Sequence, residues 1–74
     1  MNREQRRKIE KKAKEVWKLE LQATLIADEN IKRQLENQMK KIISNCSLEE
    51  LVLIDEYINE QFVQKSWFFE KFLV

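Results

Sequence analysis

A chain of 74 residues with net charge +1 holds one domain at most, and a core of that size supplies only about 3–5 kcal/mol. One cysteine and no histidine exclude an internal disulfide and an ordinary zinc site, so no metal or other cofactor is expected. The charge is uneven: residues 1–20 carry eight Lys/Arg against four Glu, and residues 47–74 carry six acids against Lys65 and Lys71. Such polarity favours association of unlike ends.

The N-terminus is charged from Arg3 to Lys14 and has no apolar stretch of signal-peptide type. No apolar run approaches the roughly 20 residues that cross a bilayer. With the low cysteine content, this predicts a cytoplasmic protein with no membrane partner.

From Asn2 to about Asn45 the residues are strong helix formers. Glu-to-Lys/Arg pairs recur four apart, among them Glu4–Lys8, Glu10–Lys14 and Glu36–Lys40. A basic helical arm, residues 1–18, opens this stretch, and 19–45 form the rest. The arm has only a weak apolar stripe of Ile9, Ala13 and Val16. At 100° per residue, Trp17, Leu21, Thr24, Ile31, Leu35, Met39 and Ile42 share one stripe. Asp28 falls in the middle of it. Either Asp28 is an N-cap that breaks the helix at Ala27–Asn30 and gives a three-helix bundle, or the helix continues and Asp28 is buried against a cation. Between Val16 and Ala27 the apolar residues go all round: Val16, Trp17, Leu19, Leu21, Ala23, Leu25, Ile26 and Ala27. A helix apolar on every side has to be covered on every side.

The chain has no Gly and no Pro, so a turn must be made by other means. Residues 44–47 are the one plausible site. Ser47 and Glu50 have capping-box spacing, and Leu48, Leu51 and Val52 open an apolar run as a helix start should. Cys46 in the turn reads as a small hydrophobe closing the fold rather than as a reactive thiol.

The last helix is expected over 48–73. Its main stripe is Leu51, Ile54, Ile58, Phe62, Phe69 and Phe72, with Lys65 at its centre, and Val52, Val63, Trp67 and Val74 lie on the opposite side. Antiparallel pairing about the 44–47 turn sets Leu51 opposite Ile42, Ile54 opposite Met39, Ile58 opposite Leu35 and Phe62 opposite Ile31. It also sets Asp28 opposite Lys65. That match predicts a register-fixing pair, a continuous first helix and an arm overhanging by roughly 27 Å.

The expected fold is therefore all-α: an antiparallel helical hairpin with a long first helix, self-associating into a helical bundle. The partner interface is expected at Val16, Trp17, Leu19, Ala23, Ile26, Val52, Val63, Trp67 and Val74. With no histidine base and no glycine loop, an enzyme is not expected. The function expected is a non-enzymatic protein–protein interaction module, a homo-oligomeric adaptor or inhibitor with a dimer favoured. The Lys/Asn/Ile/Glu-rich composition suits a small bacterial or phage protein.

The arm carries the alternative. Arg6-Arg7-Lys8, Lys11-Lys12, Lys14 and Trp17-Lys18 resemble the arginine-rich peptide of lambda-type N antitermination proteins. That resemblance implies RNA binding, with Arg6, Arg7, Lys8, Lys11, Lys14 and Lys18 on phosphates and Trp17 stacked on a base. Arg3 and Lys12 extend the same basic set. The competing reading places Trp17 in the core stripe and leaves the cations solvated.

Overall fold

The computed structural model describes residues 2–62 and 67–73, which are all-α. Helix α1 spans Arg3–Leu25, α2 Glu29–Ser44 and α3 Leu48–Phe62; a π-helical turn, Phe69–Leu73, follows near the C-terminus. Asn2 starts α1 by accepting the Gln5 amide at 2.8 Å.

The long first helix is not formed. Ile26 leaves α1 with extended backbone, and Asp28 starts α2 by accepting from the amides of Asn30 (2.8 Å) and Ile31 (3.3 Å). Those bonds satisfy two of the donors that any helix start leaves open. A continuous helix over 2–45 would run roughly 66 Å. The longest axis of the molecule is 40 Å. The break lets the chain fold onto Val16, Leu19 and Ala23 of its apolar belt, while Leu21, Leu25 and Ala27 stay exposed.

Asp28 is accordingly exposed, so the buried register pair loses its first member; Lys65 lies outside the described residues. The second turn forms as the spacing predicts. Ser47 Oγ accepts the Glu50 amide at 3.2 Å, and Glu50 Oε1 accepts the Ser47 amide at 3.0 Å. Without glycine, α2 closes through ordinary backbone: the amides of Asn45 and Cys46 donate to the carbonyls of Ile42 (3.2 Å) and Ile43 (3.0 Å).

Among the described residues, α1 is the helix against which both α2 and α3 pack most closely. Its core face is Ile9, Ala13, Val16, Leu19 and Ala23, joined by Met39 from α2, Ile54 and Ile58 from α3, and Phe68. The stripe expected to face the core is split: Trp17, Leu35, Met39 and Ile42 pack in or against the core, whereas Leu21, Thr24 and Ile31 are exposed. The expected overhang is also absent: Ile9, Ala13 and Val16 are buried, and Lys12 meets Glu50 in the first turn of α3 at 3.1 Å. Short connections make α1 and α2 antiparallel neighbours. Because the start of α3 meets Lys12 and its end meets Trp17, α3 runs in the same sense as α1.

Residues 67–73 close the other end. Trp17 stacks on Phe62 with centroids 5.1 Å apart and meets the edge of Trp67 at 5.4 Å. Trp67 and Phe68 both pack on Phe72. Lys71 lies 3.1 Å from Glu20 of α1 and 3.8 Å from Glu36 of α2, tying both helices to the C-terminal turn. Exposed pairs of this kind are worth about 0–1 kcal/mol each, so the aromatic contacts carry most of the attachment.

Candidate interaction surface

Helix α1 buries one face and leaves the opposite face in water. Along that outer face run Arg3, Arg7, Lys11, Lys14 and Lys18, followed by Leu21 and Leu25, all exposed. At 100° per residue these seven fall within roughly 80° of one another. Leu25 is 86% exposed and Leu21 47%. Arg6 and Lys8 flank the stripe, also exposed, whereas Lys12 is turned inward to Glu50.

The charges on this face are unspent. Among the described residues, ion pairs use only Lys12 and Lys71 as cations. The expected pairs Glu4–Lys8, Glu10–Lys14 and Glu36–Lys40 are not made. Five outward cations thus stand in line over about 22 Å, with no carboxylate bound to them.

Helix α3 has an outer face of opposite sign. Glu49, Val52, Glu56 and Glu60 are exposed on the side away from Ile54 and Ile58, with Leu48 at its start. Leu48 is 72% exposed and Val52 44%. The two helices, joined through their inner faces, therefore present a basic and an acidic stripe to solvent.

The Lys12–Glu50 pair at the second turn is the most perturbed titratable cluster. Glu50 is held below its ordinary carboxylate range, first by the Ser47 amide and then by Lys12. Lys12 is raised, chiefly by its hydrogen bond to Glu50. Burial pushes the Cys46 thiol up, partly countered by Lys12, and its Sγ donates to the Ile42 carbonyl at 3.3 Å. A raised, engaged thiol is a packing group, not a nucleophile. Among the described residues no group of three or more His, Cys, Asp or Glu side chains is placed to hold a metal, and no helix is long and apolar enough to cross a membrane.

The expected partner interface divides. Val16, Leu19 and Ala23 are buried by the chain itself, while Trp17, Ile26 and Trp67 are half-buried. Val52 remains open; Val63 and Val74 lie outside the described residues. Trp17 is engaged with Phe62 and Trp67, so the free stacking platform implied by the N-protein resemblance is not available. Leu21, Leu25 and Leu48 were absent from the expected surface. The signal for the first two is spacing: Leu21 follows Lys18 by three residues and Leu25 follows Leu21 by four. Comparison with protein-family models, curated proteins and solved structures finds no match to this chain.

Proposed function

We propose that this protein is a non-enzymatic protein–protein interaction module, a small adaptor or inhibitor working in the cytoplasm, that meets an acidic partner helix along the outer face of α1. The observation that carries this reading is the line of unpaired cations ending in two exposed leucines. A cation line alone suits any polyanion. Leu21 and Leu25 add apolar surface that has no use for water, and an amphipathic acidic helix would cover both parts.

The test is an amide-shift titration of the whole protein with an acidic, leucine-containing amphipathic peptide. Saturable shifts along Lys11–Leu25 support the reading. No shift there up to millimolar peptide rejects it.

RNA is the second reading, favoured by the same five cations. Phosphate contacts from all five would give a log-affinity against log-salt slope of roughly −3.5 on single-stranded RNA. A single-stranded RNA that binds with such a slope and displaces the peptide would transfer the function to nucleic acid.

A further inference from the structure

We infer that the acidic helix received by α1 is α3 of a second copy of this chain, docked antiparallel on its outer face. This rests on the proposed interaction reading and names its partner. The argument is the match between the two stripes. Laid antiparallel, Leu25 comes level with Leu48 and Glu49, and Leu21 with Val52. One turn further on, Lys18 comes level with Glu56 and Lys14 with Glu60. The exposed apolar residues of α1 thus meet the exposed apolar residues of α3, and the two lysines that follow, Lys18 and Lys14, each meet a glutamate. Helical periodicity makes positions recur. It does not dictate that like meets like at one end and opposite charges meet at the other.

The same layout excludes the alternatives within this chain. Two α1 stripes facing one another would oppose cation to cation, and two α3 stripes would oppose carboxylates. The outer faces of α1 and α3 cannot meet inside one molecule, because the two helices run in the same sense and touch through their inner faces. An antiparallel α1–α3 contact is therefore intermolecular. Since the two stripes belong to different sides of the bundle, the contact is head-to-tail, and each copy that is added leaves one stripe free for the next.

Light scattering and sedimentation of the full chain at low salt test this. The wild type should exceed its 9.1 kDa monomer mass increasingly as concentration rises. Reversing one stripe, Lys14→Glu with Lys18→Glu, should weaken association at least tenfold, and so should Glu56→Lys with Glu60→Lys. Mixing these two variants should restore it, because each then offers the charge the other lacks. All four positions are exposed, and unchanged helical circular dichroism verifies the fold. Leu25→Glu is an independent probe at the most exposed apolar side chain and should also weaken association. A wild-type mass that stays monomeric at millimolar concentration overturns the inference, as does a mixture that fails to associate. If the chain is monomeric while the acidic peptide still shifts Lys11–Leu25, only the identity of the partner is wrong. If the peptide also fails, the interaction reading falls with it.

Discussion

The two turns of this glycine-free chain close in different ways. The turn at 45–47 is cross-linked: Ser47 and Glu50 exchange hydrogen bonds, Lys12 reaches Glu50 from α1, and Cys46 bonds back to Ile42. Met39, one and a half turns before the end of α2, is fully buried. The turn at 26–28 has a single side-chain anchor, Asp28, and is flanked by Leu25, largely in water, and by Ile31, 42% exposed. The turn at 45–47 is held by several mutually supporting contacts, and the turn at 26–28 by one cap. The difference shows that a short polar cap can end a helix even where the apolar pattern runs straight through.

The contrast is broken most severely from the core. Met39→Ala should cost about 2–5 kcal/mol in urea unfolding, since it empties a site with no solvent access. Ile31→Ala, on the same helix but 42% exposed, should cost under about 1 kcal/mol. Equal losses would mean that both ends of α2 are equally packed.

Next come the caps. Asp28→Ala and Ser47→Ala should each cost about 1 kcal/mol. They should differ in what they loosen: hydrogen exchange is expected to rise locally at Asn30 and Ile31 in the first, and across the Lys12–Glu50 contact in the second. Identical exchange patterns would deny the distinction between the turns.

The smallest effect sharpens the comparison through pH. Glu50 is depressed in the folded chain, so its contribution is present above the ordinary carboxylate pKa of about 4.3 and is lost as pH falls through its lower folded value. Lys12 is raised, so its contribution is whole below about 10.4 and is lost as pH rises beyond that through its folded value. Glu50→Gln should therefore flatten part of the acid-side loss of stability seen in melts between neutral pH and pH 3. A variant that tracks wild type over that range would show the pair to be idle.

The second turn was legible because a capping box is a two-residue signature whose members confirm each other. The all-α class followed from helix-forming composition and periodicity. The first turn was hidden because Asp28 occupies a position on the apolar stripe, and a misplaced acid reads equally as a cap or as half of a buried pair. Periodicity also assigns residues to faces without saying what covers each face. Of the ring of apolar residues from Val16 to Ala27, the bend lets the chain itself bury Val16, Leu19 and Ala23, while Leu21, Leu25 and Ala27 stay exposed. Leu21 shows the same limit: periodicity assigns it to a core that lies on the other side of α1.

The clasp made by Lys71 bears on the order in which the molecule assembles. Its partner Glu20 is 51 positions away in sequence, whereas the turns that bring α1, α2 and α3 together are only three residues long. Closing the longer loop costs more chain entropy and is repaid only once α1 and α2 are already side by side. The aromatic tail is then the last part to settle and the first to let go. In stopped-flow kinetics Lys71→Ala should speed unfolding while leaving the refolding rate nearly unchanged.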